Sequence, residues 1–283
     1  MQGMSPTELL AWPTLGLGTW QLGESPAAQA SDMRVVREAI DIGYRLIDTA
    51  EMYGDGGAER VVGAAVNDAL RSGLHRDDLV IVSKFYPHHA APADLRRACD
   101  GSRRRLELDQ IDLYLLHWRG SVPLAQTVDT LEALCAKGWI RSWGVSNFDL
   151  GDMHELVAVA QGGRCAANQV HYSLGARGAG FDLLPWQCER RMRLMAYSPL
   201  DQGELSGSTA LRELARKAGR SPADIALAWL TSQPGVTAIP KSARSEHLLA
   251  NWRAASWSLD DAIRRELDAL YPPPTRRTPL SMR

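Results

Sequence analysis

The chain has 283 residues, 45% hydrophobic and 23% charged, with a formal net charge of −1. It is somewhat longer than the roughly 250 residues usual for one α/β barrel and short for two complete domains. The near-zero charge leaves no basic footprint for nucleic acid or an acidic membrane surface, and no apolar run approaches bilayer length.

The segments alternate between short apolar runs and longer amphipathic ones. The first strand-like run, 15–20, holds Gly16 and Gly18 but no third glycine opening a helix, so it is not a dinucleotide fingerprint. A helix follows in which Val35, Val36, Ala39 and Ile40 share one face, and Gly43 can end it. The second strand run, 45–49, leads into Asp48-Thr-Ala-Glu-Met-Tyr53. The third, 79–84, ends on Lys84, and the fourth, 111–117, ends on His117 before Trp118. Both are apolar nearly throughout, as strands covered on both faces should be. Runs at 140–145, 166–170, 194–197 and 236–240 follow, beside Ser146-Asn147, Asn168-Gln169, Tyr197-Ser198-Pro199 and Lys241-Ser242. Ser221-Pro222 supplies a cap and first-turn proline for a helix carrying Ile225, Ala226, Trp229 and Leu230. From about Ala255 the chain forms a tail ending in Pro272-Pro-Pro-Thr-Arg276-Arg277, read as an extended strap over the fold.

Eight strands separated by helices imply parallel pairing with right-handed crossovers, and eight repeats favour closure. The expected architecture is an α/β fold, a (β/α)8 TIM barrel with an extended C-terminal tail, forming one domain over residues 1–283. Cys99, Cys135, Cys165 and Cys188 lie far apart with no C-x-x-C, and read as free thiols of a reducing compartment. The N-terminal MQGMSPTELLAWP lacks the basic and apolar regions of a secretory signal. The expected location is therefore the cytoplasm.

Barrels of this kind carry their chemistry where strands finish. Four strand ends offer one carboxylate, one phenol, one amine and one imidazole: Asp48, Tyr53, Lys84 and His117. Such a set suits carbonyl reduction. Hydride delivered to a carbonyl carbon leaves an alkoxide that needs a proton, and a phenol gives one up readily only beside a cation. Lys84 supplies that cation, Asp48 keeps it charged, and His117 can orient the carbonyl oxygen. The hydride itself belongs to a cofactor.

At these residues the sequence resembles the aldo-keto reductase family. The segment Gly43-Tyr-Arg-Leu-Ile-Asp48-Thr-Ala-Glu-Met-Tyr53-Gly54 is similar to its first signature, Gly144-Val-Ser-Asn-Phe148 to its second and Ile239-Pro-Lys-Ser242 to its third. The likeness runs from about Leu15 to the C-terminus. It implies Tyr53 as proton donor, Lys84 and Asp48 as its modulators and His117 as the carbonyl-orienting residue. It implies NADPH (NADP+) as cofactor, with NADH weaker. Ser146, Asn147 and Gln169 would hold the nicotinamide carboxamide, with Tyr197 against its ring and Thr19 and Trp20 nearby. Ser198, Pro199, Leu200, Gln202 and Gly203 would follow the pyrophosphate. Lys241, Ser242, Arg244 and His247 would meet the 2′-phosphate and ribose, and Asn251 the adenine. Trp20, Tyr86, His117 and Trp118 would wall a substrate pocket. The segment Leu116–Gly120 and the proline-ended tail resemble small bacterial members associated with methylglyoxal and other small aldehydes. His247 and Ala250 depart from the arginine and glutamate frequent at those places, which bears on NADPH preference.

Blander readings compete. Asp48 could cap a following helix, which leaves Tyr53 and Lys84 unexplained. His88-His89 reads as a solvated loop, not a metal site, because adjacent side chains diverge and no ligand partner lies at suitable spacing. Trp139, Trp143 and Trp229 read as core. A cofactor-binding sensor or regulatory subunit on the same fold is the alternative function, against which stands the lack of a charged docking block. A metal-dependent hydrolase would want more His and Asp at strand ends. The expected partner is a small carbonyl compound, with no nucleic acid, membrane or metal, and the chain is expected to be a monomer.

Overall fold

The computed structural model describes residues 12–282, so most of the N-terminal segment read for a secretory signal lies outside the described residues. Eight parallel strands follow one another round a single sheet in chain order. They are β1 (Leu17–Gly18), β2 (Leu46–Asp48), β3 (Val80–Phe85), β4 (Ile111–Leu116), β5 (Ile140–Ser146), β6 (Ala167–His171), β7 (Arg193–Tyr197) and β8 (Val236–Ala238). Parallel bridges Leu15↔Ala238 and Gly18↔Lys241 join the last strand to the first and close the (β/α)8 barrel. The outer ring comprises α1 (Gln29–Ile42), α2 (Gly57–Arg71), α3 (Pro92–Leu106), α4 (Leu124–Ala136), α5 (Leu150–Ala158), α6 (Leu183–Glu189), α7 (Thr209–Lys217), α8 (Pro222–Thr231) and α9 (Ser245–Ala255). Among the described residues no helix is long and apolar enough to cross a membrane.

Local sequence explains several boundaries. Gly43 ends α1 with φ 127°, a value that excludes a side chain there, and a Cβ would also meet the Trp252 ring. Ser221 and Asp224 form the capping box of α8, with Pro222 in its first turn. Gly144 lets β5 approach β6, since a Cβ would lie 2.3 Å from the carbonyl oxygen of Ala167.

The core has two layers. Leu46, Val82, Leu113, Leu115, Ala167, Met195 and Ile239 cluster inside the barrel above Trp12. A larger layer, including Ile47, Ile81, Tyr114, Trp143 and Leu194, packs between strands and helices. Because side chains alternate along a strand, residues in step with the inner layer also face the axis. Asp48 follows Leu46 in this way, Lys84 follows Val82, His117 follows Leu115, Gln169 follows Ala167 and Tyr197 follows Met195. That parity is what gathers the polar strand ends into one place.

Some expectations need correction. β1 and β8 are shorter than 15–20 and 236–240, because pairing across the closure is confined to isolated bridges. Within the segment read as an extended tail stands a further helix, α10 (Asp261–Leu270), capped by Asp260. Leu267 is fully buried and Ile263, one turn before it, packs on the core, so this segment has a helical apolar face of its own; only the chain after it is extended. Trp139 is half-buried, packed against the edge of the core and covered by Lys137 at 3.6 Å and Arg103 at 4.7 Å from its ring. His88 and His89 occupy a 3-10 turn, Pro87–His89, and His89 Nδ1 meets Glu51 Oε1 at 2.8 Å, a carboxylate partner invisible to sequence spacing.

Candidate active site

At the centre of the barrel's C-terminal face lies the side chain of Lys84, fully buried. An ammonium has three donors, and Nζ has three acceptors around it: Asp48 Oδ2 at 2.7 Å, the Thr49 carbonyl at 2.9 Å and Tyr53 Oη at 3.1 Å. Burial works against the charge on Lys84, but Asp48 and Tyr53 outweigh it and hold its pKa above the ordinary lysine value. The Asp48 carboxyl is pushed upward by burial and pulled back by Lys84 and Gln169. Each of its oxygens accepts a bond, Oδ1 from Gln169 Nε2 at 2.7 Å and Oδ2 from Lys84, the pattern of an ionised carboxylate. Thr19 fixes the same strand end, its hydroxyl donating to the Asp48 carbonyl at 2.9 Å.

Tyr53 stands over this pair, with Lys84 Nζ 4.7 Å from its ring centre. Burial raises the phenol pKa and Lys84 opposes the rise, so the hydroxyl keeps its proton at neutral pH while facing a fixed cation. The His117 ring meets Tyr53 edge-on at 5.9 Å between centroids. Burial, reinforced by the Lys84 charge, lowers the His117 pKa to about 3. Its Nδ1 is buried without a hydrogen-bond partner, so we assign the neutral Nε2–H tautomer, which leaves one donor to offer.

Further round the rim, Ser146, Asn147, Gln169 and Tyr197 come together. Ser146 Oγ donates to the Gln169 carbonyl at 2.9 Å, and Tyr197 Oη donates to Asn147 Oδ1 at 3.0 Å. Asn147 has φ 60° and its amide donates to the His117 carbonyl at 3.1 Å. Gln169 Nε2 donates to Asp48 and turns to Met195 Sδ at 3.9 Å, so its remaining contribution is the acceptor Oε1. Beyond β7, Ser198, Asp201 and Gln202 adopt left-handed backbone, and nothing lies within 4 Å of where a Cβ on Gly203 would stand. Pro199 is buried and Leu200 packs on the core. Lys241 and Arg244 are exposed cations at the start of α9, and Ser242 Oγ accepts from the Arg244 N–H at 3.1 Å. His247 Nε2 accepts from Arg244 Nη2 at 2.7 Å, and Asn251 is buried on the same helix. Consecutive strand ends from β5 to β8 therefore carry a polar track from the barrel axis to two outer cations.

Tyr86 and Trp118 meet edge-on at 6.0 Å, with the His117 ring 5.0 Å from Trp118. Trp20 is 43% exposed. Of the arginines that the sequence offers near the pocket, Arg119 Nη2 bonds Glu155 at 2.8 Å and Arg277 pairs with Asp182, while Arg276 is exposed. Sequence reading missed His171, whose imidazole joins Asp201 and Ser281; its strand run stopped at Val170, one residue short of β6's true end. The parity of Gln169 would have pointed to it.

The Aldo/keto reductase family model matches residues 14–272. The chain is 45% identical to methylglyoxal reductase YeaE of Escherichia coli, over 95% of each chain. It is 34% identical to the glyoxal reductase of Bacillus subtilis, over 91% of this chain and 88% of that one. A crystal structure of an aldo/keto reductase from Klebsiella pneumoniae in complex with NADP and acetate superposes with a TM-score of 0.91 at 46% identity, covering 95% of both chains.

Proposed function

This chain belongs to the aldo/keto reductase family, and from that premise we propose that it reduces small aldehydes and α-dicarbonyls of the methylglyoxal type to alcohols with NADPH. The observation that carries the reading is the buried Lys84 ammonium bonded at once to Asp48 and Tyr53, with neutral His117 across the ring.

The polar track fits such a cofactor. The Gln169 Oε1 acceptor and the Asn147 side chain suit a carboxamide, with the Tyr197 ring fixed by its bond to Asn147. The open turn at Gln202 and Gly203 leaves backbone free for a pyrophosphate. Lys241, with no ion-pair partner among the described residues, and Arg244 give a 2′-phosphate its charge partners. When bound, NADPH supplies the hydride.

The chain's residues do the rest. His117 Nε2–H holds the substrate oxygen, and the ring stays neutral because burial disfavours its charged form, which would leave an unpaired N–H at Nδ1, and the Lys84 charge adds to this. Tyr53 gives the developing alkoxide its proton, and Lys84 stabilises the phenolate that remains. Asp48 keeps Lys84 charged and placed, and Gln169 keeps Asp48 in place. Tyr86, Trp118 and Trp20 offer apolar walls, and Arg119 and Arg277 are held by carboxylates, which supports small uncharged carbonyls as substrates.

The four cysteines are free, which suits a reducing cytoplasm, and the chain acts as one barrel domain and a monomer. The test is a panel of aldehydes, ketones, dicarbonyls and steroids followed by NADPH absorbance. Methylglyoxal and small aldehydes should lead; efficient turnover of a bulky steroid with none of methylglyoxal would overturn the substrate assignment.

A further inference from the structure

His171 has no part in the chemistry above, yet it stands on the inward side of β6 one step beyond Gln169. It is 2% exposed and its ring stacks on Tyr197, with centroids 5.7 Å apart and planes 20° from parallel. Nε2 lies 2.8 Å from Asp201 Oδ1, in the turn that follows β7. Nδ1 lies 2.9 Å from Oγ of Ser281, near the end of the C-terminal tail. The Asp201 carboxylate also accepts from Ser173 Oγ at 2.8 and 2.7 Å. With a carboxylate at Nε2, that nitrogen carries the proton, and Nδ1 accepts from the Ser281 hydroxyl. One ring thus touches the aromatic assigned to the nicotinamide, the turn assigned to the pyrophosphate, and the tail.

The tail reaches this ring along a defined path. Arg177 donates to the Tyr271 carbonyl and to Asp268 at 2.8 Å, where α10 ends. Arg277 then pairs with Asp182, Thr278 lies against Gly178, and Leu280 packs on the core. Asp201 and Gln202, meanwhile, have φ of 48° and 53°, left-handed values that non-glycine residues keep only when neighbours hold them there. The buried bonds of Asp201 to His171 and Ser173 are such a restraint.

We infer that His171 is a positioning residue that latches the C-terminal tail to the cofactor-holding turn, so that NADPH leaves faster when the latch is open. The inference rests on the assignment of residues 198–203 to the cofactor. It carries a reciprocal consequence: if the latch tightens NADPH, NADPH tightens the latch by the same factor.

The test uses the full chain and two readouts. NADPH dissociation is timed by stopped-flow tryptophan fluorescence in the wild type, Ser281→Ala, Asp201→Asn and the double variant. Amide hydrogen exchange of the tail, residues 272–282, is measured with and without NADPH. Ser281 is exposed, so its alanine variant keeps the fold even where a change at buried Asp201 does not. Loss of one neutral hydrogen bond should speed dissociation about 2- to 10-fold. The double variant should fall short of the product of the singles, and NADPH should slow tail exchange in the wild type only. Unchanged dissociation in Ser281→Ala, or tail exchange indifferent to NADPH, overturns the latch while leaving the reductase reading intact. A wild-type chain that binds no NADPH takes both down.

Discussion

Lys84 brings three donors to a dry site that presents three acceptors, and this match decides what single substitutions do. Tyr53→Phe removes the proposed proton source and leaves Lys84 and Asp48 paired. Turnover should fall by at least ~10²-fold, the lower range for a positioned acid, with NADPH affinity unchanged in a fluorescence titration. Near wild-type turnover would sink Tyr53 as donor. Lys84→Met has a different signature, because it strands Asp48, itself 2% exposed, without its cation. That costs on the order of 3–5 kcal/mol and should appear as a lowered melting temperature besides lost activity. Asp48→Asn keeps an oxygen for Lys84 and should retain more activity than Lys84→Met. The reverse order, measured side by side, would reassign the two roles.

Secondary structure explains why so much of the site was legible. Asp48, Lys84, His117, Gln169 and Tyr197 each lie within two residues of a strand's C-terminal end at the parity of the inner layer, and parity survives small errors in strand boundaries. What stayed hidden depended on pairings distant in sequence. His89 meets Glu51 across 38 positions, and His171 meets Ser281 across 110, separations that no local pattern encodes. Helix α10 was hidden for another reason: Asp260 caps it and Ile263 and Leu267 lie at helical spacing, but the proline run beyond it makes the whole segment read as extended. At the start of α9 the sequence and the structure meet on an open question of charge. His247 Nε2 faces Arg244 at 2.7 Å, with Glu246 Oε1 3.2 Å from Arg244 and 3.8 Å from His247. His247→Arg should set a second fixed cation beside Arg244 and tighten NADPH relative to NADH. Dissociation constants for both cofactors decide it, and an equal gain for NADH would show that position 247 does not reach the phosphate.

Across the whole molecule, buried titratable groups set the pH window in which the barrel is most stable. His117 is held near 3 in the fold against an unfolded value near 6.5. Above pH 6.5 both states are neutral and the ring contributes no pH dependence. Between 6.5 and 3 the unfolded chain binds a proton that the fold refuses, so stability falls with pH at up to about 1.4 kcal/mol per unit. On the alkaline side, burial raises the Cys99 and Cys165 thiols from an ordinary value near 9 to about 12. Their contribution is complete below pH 9 and is lost as pH rises toward 12, because the unfolded chain releases protons that the fold retains. The slope there is again about 1.4 kcal/mol per unit for each thiol. Lys84, held charged above its ordinary value, adds to the same alkaline loss. Melting temperature should thus form a plateau between about pH 6.5 and 9 and fall on both sides. The decisive comparison is between variants, since surface carboxylates also titrate in acid. His117→Gln should flatten the fall between pH 6.5 and 4 relative to the wild type, and Cys165→Ala should flatten the fall above pH 9. Scanning calorimetry on both variants reads the two limbs separately. An acid limb in His117→Gln as steep as that of the wild type would mean that this ring does not set it, and that its neutrality serves the substrate oxygen alone.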